Sequence, residues 1–451
     1  MSFSLGLPAE VQKVFDYVDR NSSRFVEDLR ELIRQPSVSA QNRGVKECAQ
    51  LLKEKMLEAG IATEIIPTEG GHPIVFGEVK SESSAKTILF YGHYDVQPPD
   101  PEEAWQSPPF GAEMKDGKIY GRGASDMKSG VMAVIKATES YLKASGGLPI
   151  NVKFIFEGEE EIGSPHLEQF VKNNVELLRA NARVGLEGPA FNVELGYKGW
   201  LGVELELKED RPDFHSRESV ILVSPVWRLV WALSTLKDRS EKVTIDGFYD
   251  DVKDPTPDDL ALLEQLQFNT EDICSGRLLD GLGTKEKLLA RRFLSSTCNI
   301  NCIVSGYTGV GMKMVVPSEA TAKIDFILVP DQDPEDIFEK LVRHLEVNGF
   351  SDIKATKCAG LWPCKSSLGE KIAQVAIRST EMVFGRKPPI LPIHPGGDPS
   401  HVFVKHLNLP FAYTGANTTS KANHATNEYV KPEDYVAGIK KYAAIMYNFC
   451  T

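Results

Sequence analysis

The stretch ILFYGHYDVQPPD, residues 88–100, reads as a buried strand that turns polar without warning. Ile88 to Tyr91 form a continuous apolar run, the pattern of a strand covered on both faces. Gly92, His93, Tyr94 and Asp95 follow, and then a Pro-Pro pair through which no strand continues. A histidine and an aspartate two residues apart at the carboxyl end of a core strand stand where open α/β sheets bind their ligands.

The flanking sequence supports such a sheet. Val14, Phe15, Val18, Phe25, Leu29, Leu32 and Ile33 lie on helical apolar stripes, with Pro36 expected to stop the second of two helices. A further helix runs through Leu51, Leu52, Met56 and Leu57 to Gly60. Strands are expected at 63–66, 74–79, 87–91 and 152–156, with a helix over 129–142. This alternation predicts a layered α/β domain containing parallel strands.

After Gly199 the pattern changes. WLGVELELKED, residues 200–210, alternates apolar and charged residues, as a sheet with one wet face does. A second alternating strand, EATAKIDFILVP (319–330), and the helix PEDIFEKLVRHLEVNGF (334–350) complete a smaller α+β pattern. SLGEKIAQVAIRSTEMVFG (367–385) and LPFAYTG (409–415) return to the first pattern. The expected plan is a catalytic domain in two segments, 1–198 and 365–451, with an inserted domain over 199–364.

Composition bounds the function. The chain has 451 residues, of which 25% are charged and 42% hydrophobic, the profile of a globular protein. A net charge of −12 argues against a nucleic-acid partner. No apolar run approaches the length of a membrane span, and no signal segment is evident. Seven scattered cysteines suggest reduced thiols and a cytoplasmic setting.

Five local features carry chemistry: His93 with Asp95; Asp126 in the glycine-rich loop YGRGASDMKSG; Glu157, Glu159, Glu160 and Glu161 beyond strand 152–156; Glu187 after the apolar run ARVGL; and His424 in NHATNE. Singly, each has an ordinary explanation. A histidine after a strand is commonly a surface residue, three glutamates in a row a solvated turn, and GRGASD lacks the Lys-Ser/Thr of a phosphate loop. Jointly they place two imidazoles and several carboxylates where strands give way to loops at one rim of the sheet. That is a shell for zinc, cobalt or manganese. The carboxylates exceed the needs of one ion, and their mutual repulsion calls for cations. The chemistry implied is metal-assisted hydrolysis, with one glutamate left to move protons.

The ordered set HYDVQP (93–98), GRGASDMKSG (121–130), EGEEEIGS (157–164) and HATNE (424–428) resembles a superfamily of di-zinc metallopeptidases and amidohydrolases. Its members include carnosinase, aminoacylase, acetylornithine deacetylase and succinyl-diaminopimelate desuccinylase. PVWRLVWALSTLKD (225–238), IDGFYDDV (245–252) and LVPDQDPEDI (328–337) are similar to the cytosolic dipeptidase branch. The resemblance implies a three-layer α/β/α mixed-sheet catalytic domain with an inserted α+β lid and dimerisation domain. It implies two Zn2+ per subunit, with Co2+ or Mn2+ possible. His93 and Glu187 would serve one ion, Glu161 and His424 the other, and Asp126 both. Asp95 would orient His93, Glu160 would be the general base, and a cis peptide would follow Asp126. Glu159 is expected to be an incidental solvated side chain. His215 would reach the neighbouring active site of a homodimer and stabilise the oxyanion.

The substrate region departs from the resemblance. Ile327 stands in DFILVP where an arginine for the substrate carboxylate is usual, and Asp398 in HPGGDPS replaces a hydroxyl after Gly396 and Gly397. Asn299 is retained, and Cys298 and Cys302 are explained by alternate strand positions. Isoleucine cannot make the bidentate contact of an arginine. The expected activity is therefore hydrolysis of an amide or peptide bond in a small molecule, dipeptidase- or carboxypeptidase-like. A deacylase or amidohydrolase acting on a non-peptide amide is the alternative, and a catalytically silent binding protein the remote one.

Overall fold

Strand 87–93 lies at the middle of a large sheet in the computed structural model, which describes residues 7–266, 279, 284–418 and 423–451. The chain folds as two units, one of residues 1–195, 366–392 and 402–451, the other of 196–365 and 393–401.

The first unit is built on eight strands: β1 (Ala62–Ile66), β2 (Ile74–Val79), β3 (Thr87–His93), β4 (Asn151–Glu157), β5 (Ala182–Gly185), β6 (Val193–Glu194), β7 (Ile390–Leu391) and β8 (Phe411–Tyr413). Their order is β1-β2-β4-β3-β5-β8-β6-β7. Strands β4, β3, β5 and β8 run parallel, while β1 and β2 join antiparallel at one side. Alternate residues of β3 face opposite layers. Phe90 meets Tyr442 of the C-terminal helix edge-on, while Leu89 and Tyr91 pack with Phe170, Val171 and Phe403. The sheet is thus covered on both faces, the three-layer α/β/α arrangement that the resemblance implied.

The helices that build the first of these layers are α1 (Ala9–Arg34), α3 (Lys128–Ser145), α4 (Lys371–Phe384) and α5 (Pro432–Cys450); α2 (Val45–Glu58) packs on β1 and β2. Helix α1 corrects the sequence reading, which splits it in two. Val14, Val18, Phe25 and Leu29 are all buried on one continuous stripe, and the polar run Asn21-Ser22-Ser23 falls on the outer side.

The second unit has a four-stranded antiparallel sheet in the order 297–305, 319–328, 199–208, 354–361. Leu201, Val203, Leu205, Ile324 and Phe326 face helices 225–234 and 334–347 and form its core. Strand 297–305 is an edge strand, with a bulge between Ile300 and Cys302. Beyond the bulge Cys302 pairs with the exposed Lys323, whereas Cys298 pairs with the buried Phe326. The two cysteines therefore point to opposite faces. Among the described residues six cysteines carry no disulfide, and no helix is long and apolar enough to cross a membrane. Cys274 lies outside the described residues.

Candidate metal centre

Parallel register sets the site. His93, the last residue of β3, lies beside Glu157, the last of β4, and Tyr91 lies beside Gly185, the last of β5. The chain leaves each strand at the same rim. His93 emerges there directly, Glu160 and Glu161 follow in a short 3-10 turn, and Glu187 comes two residues past β5. Asp126 arrives from the loop before α3.

Asp126 stands at the centre. Its Oδ1 is 3.1 Å from His93 Nε2 and its Oδ2 is 3.3 Å from His424 Nε2. His424 Nε2 is also 3.0 Å from Glu161 Oε2, and Glu160 Oε2 is 4.0 Å from His93 Nε2. The peptide bond between Asp126 and Met127 is cis. Asp95, fully buried, braces the arrangement. Its Oδ1 lies 3.4 Å from His93 Nδ1, while its two oxygens accept the backbone N–H groups of Glu160 and Glu161 at 3.2 and 3.1 Å. One carboxylate therefore fixes both an imidazole and the acidic turn.

The electrostatics follow from crowding. Hydrogen bonds accepted by the Asp126 and Glu161 carboxylates push the His424 imidazole up to about 10. For His93 burial is the largest single effect and acts downward, yet Asp126 and Asp95 together hold it well above its ordinary value. Burial, together with the charges of Glu161, Glu187 and Asp126, raises the Glu160 carboxyl well above the usual range despite the opposing charge of His93. Donor atoms of His93, Asp126 and Glu161 all lie within 4.8 Å of one another. Nitrogen and carboxylate donors so close together, with more negative groups than two imidazoles neutralise, fit a divalent cation of the zinc type.

Glu159 corrects the expectation of a solvated side chain. It is buried, accepts the His72 backbone N–H at 3.0 Å, and lies 2.7 Å from His166 Nδ1. Glu157 is also inside, bonded by the Tyr91 and Ser164 hydroxyls at 2.6 and 3.0 Å, and burial pushes it up to about 8. Glu428, to which the sequence assigns no role, is fully buried behind the Asp126 loop.

His215 and all five expected substrate residues belong to the second unit. His215 is exposed, and its Nδ1 accepts the Arg217 backbone N–H at 3.2 Å. Ile327 sits across from Trp200, and Asn299 from Asp325, on the sheet face opposite the helices. Gly397 packs so closely on Trp200 that a Cβ there would lie 3.0 Å from the indole. Trp200 is thus a neighbour of this group that motif reading overlooks; its only signal is an indole at a wet-face strand position. Gly396 accepts the Lys198 backbone N–H, and Asp398 is buried, its carboxylate accepting the backbone N–H of Ser400 at 2.7 Å and the Ser400 hydroxyl. Lys198 Nζ donates to the Arg292 and Ser295 carbonyls, and burial with the nearby Arg292 lowers it to about 8.

The sequence pattern of peptidase family M20/M25/M40 matches residues 89–448. The chain is similar to the beta-Ala-His dipeptidase of Rattus norvegicus, 27% identical with 96% of this chain and 94% of that protein covered. Among solved structures it is similar to an M20 family metallo-carboxypeptidase, Sso-CP2, from Sulfolobus solfataricus. That likeness has a TM-score of 0.89 and 35% identity, covering 94% of this chain and 99% of that one. It is also similar to human carnosine dipeptidase 1, with a TM-score of 0.82 and 26% identity over 99% of this chain and 100% of that one.

Proposed function

The chain belongs to peptidase family M20/M25/M40, and from that premise we propose that it hydrolyses a peptide or amide bond in a small substrate, as a metal-dependent dipeptidase or carboxypeptidase-like enzyme. The observation that carries this reading is the Asp126 carboxylate, one oxygen turned to His93 and the other to His424. Such a carboxylate suits a pair of ions rather than one.

His93 and Glu187 would hold one zinc ion, Glu161 and His424 the second, and Asp126 would serve both; cobalt or manganese could replace them. The bound ions supply polarisation of the scissile carbonyl and a lowered pKa for the attacking water. Glu160 takes that water's proton on its carboxylate and returns it to the leaving nitrogen. Its buried setting, which favours holding a proton, suits both halves of this exchange. Asp95 keeps the His93 ring and the Glu160 backbone in place while the proton moves.

The inserted segment 199–364 is read as the lid and dimerisation domain. Among the described residues its edge strand 297–305 is paired on one side only, and Ile303, Trp227 and Trp231 are 48%, 59% and 52% exposed. An open edge and exposed indoles in the same unit are surface to be covered, here by a second copy. With Nδ1 accepting a backbone N–H, the neutral His215 ring carries its proton on Nε2, the donor an oxyanion needs. His215 is assigned to the partner's site. That no disulfide joins cysteines among the described residues agrees with a cytoplasmic location.

Ile327 favours a second reading, an amidohydrolase acting on a non-peptide amide, because it offers no charge to a substrate carboxylate. The metal-loaded protein should be tested on dipeptides, N-acyl amino acids and aryl amides side by side. Cleavage of at least one class, abolished by chelator and restored by zinc, is expected. A fully loaded protein inactive on all three would overturn the assignment in favour of a silent binding protein.

A further inference from the structure

Behind the metal centre, Glu428 does what no ligand can do for itself. We infer that Glu428 is a positioning residue that holds Asp126 at its place between the two histidines and ties it mechanically to His424. This rests on the metal-site reading above.

Its carboxylate is completely buried and accepts four hydrogen bonds. Oε1 takes the backbone N–H of Ser125 at 2.7 Å and of Asp126 at 2.9 Å; Oε2 takes that of Gly123 at 3.0 Å and Arg122 Nη1 at 2.9 Å. The loop before α3 is therefore wrapped around one anion, its amides converging on it as a backbone nest does. Arg122 neutralises that anion and is itself held by the Pro98 carbonyl and by stacking on Trp105.

The anion comes from the other ligand's segment. Glu428 lies four residues after His424 and just before Tyr429, which pairs with Tyr120 at the start of the Asp126 loop. Two further ties join the same loops: the Ser125 hydroxyl donates to Asn423 Oδ1 at 2.8 Å, and Asn417 Nδ2 donates to the Ser125 carbonyl at 3.1 Å. Asn417 in turn accepts the Ala190 backbone N–H, three residues beyond Glu187. Three ligand-bearing segments, distant in sequence, thus share one hydrogen-bonded frame, with Glu428 making most of its bonds to Asp126's loop.

A glutamine cannot reproduce this. Its oxygen can satisfy one pair of donors, but its NH2 would face the other pair head-on. Carboxylates that support metal ligands from behind typically contribute about 10- to 100-fold in metal affinity. The test is titration of metal-free wild type, Glu428→Gln and Glu428→Asp with zinc and cobalt by calorimetry, alongside melting temperature and the visible spectrum of the cobalt form. Affinity about 10- to 100-fold weaker in Glu428→Gln, an altered cobalt spectrum and partial rescue in Glu428→Asp are expected, in molecules that melt cooperatively. Unchanged affinity and spectrum in a folded Glu428→Gln would overturn the inference. Should that variant not fold, Ser125→Ala, which removes the tie to Asn423, decides. A loss of about threefold or more supports the frame, and none refutes it. Wild type that binds no metal would instead refute the metal-site reading itself.

Discussion

Lowering the pH should strip this site of metal, steeply and for a reason visible in its hydrogen bonds. In the metal-free centre Asp126 and Glu161 hold His424 near 10, and His93, despite burial, is kept well above its ordinary value by Asp126 and Asp95. Both rings then carry protons at neutral pH, whereas a metal takes only the neutral imidazole. Binding must release about one proton per ring, so two per fully loaded subunit. The sign follows: protons bound in the free state and absent from the loaded state make affinity rise with pH. By linkage the logarithm of the overall binding constant should climb with pH, by about two per unit where both rings are protonated in the free state. Half of the His424 side chain is exposed, and solvent screening draws its value downward. The proton count survives as long as that value stays above about 8. Glu161, raised by burial against its bond to His424, can add to the release. Calorimetric zinc titrations in two buffers of different ionisation enthalpy give the count directly. Release of fewer than half a proton per subunit, or uptake, would show that the free rings are neutral and that the charge balance around Asp126 is wrong.

Glu160→Gln should retain both ions by elemental analysis and lower kcat by about 10²-fold or more, the scale of a lost general base; near-normal turnover would remove Glu160 from that role. Mixing His215→Ala with Glu160→Gln subunits should restore part of the activity through hybrid dimers, and no recovery despite proven exchange would place His215 outside the partner's site. Ile327→Arg should improve the affinity for dipeptides roughly tenfold or more, from a charge-assisted bond worth about 1.5–3 kcal/mol; an unchanged KM would move the carboxylate pocket elsewhere. Gly415→Ala should lower the melting temperature, since its Cβ would stand 1.7 Å from the Gly188 carbonyl oxygen, an overlap worth about 1–3 kcal/mol or more. An unaltered melt would mean that the loops after Glu187 and Tyr413 part easily.

What could be read from the sequence depended on how far each signal reaches along the chain. The run from Ile88 to His93 announces both a buried strand and its end, and the ends of β4 and β5 do the same for Glu160 and Glu187. Convergence then follows from parallel pairing. Nothing in the triple 159–161 tells which carboxylate turns inward, because the partner of Glu159 is the backbone of His72, on another strand connection. Glu428 is opaque for the same reason, its acceptor role depending on amides about three hundred residues earlier. Helix α1 was ambiguous because Asn21-Ser22-Ser23 has the composition of a break, while only the phase of the apolar stripe shows continuity. Residues 393–401 group with the second unit through Gly196, Lys198 and Trp200, contacts that no local pattern encodes.

The position of strand β8 has a consequence for how the chain is made. Phe411–Tyr413 slots between β5 and β6, both of which precede the inserted segment, whereas β8 follows it. A ribosome that has finished residue 365 has released His93, Asp126, Glu161 and Glu187, but the sheet between Gly185 and Val193 still lacks its middle rung. His424, Glu428 and the buried Lys441, which grips the Thr414 hydroxyl and the Ala190 and Gly415 carbonyls, all come later still. The segment 196–365 can close on itself while the first unit waits with an open seam, since domains fold as units during synthesis. Metal capture is therefore expected to wait for the segments that follow residue 365, and a nascent chain arrested in the insert should carry His93, Asp126, Glu161 and Glu187 without retaining a divalent metal.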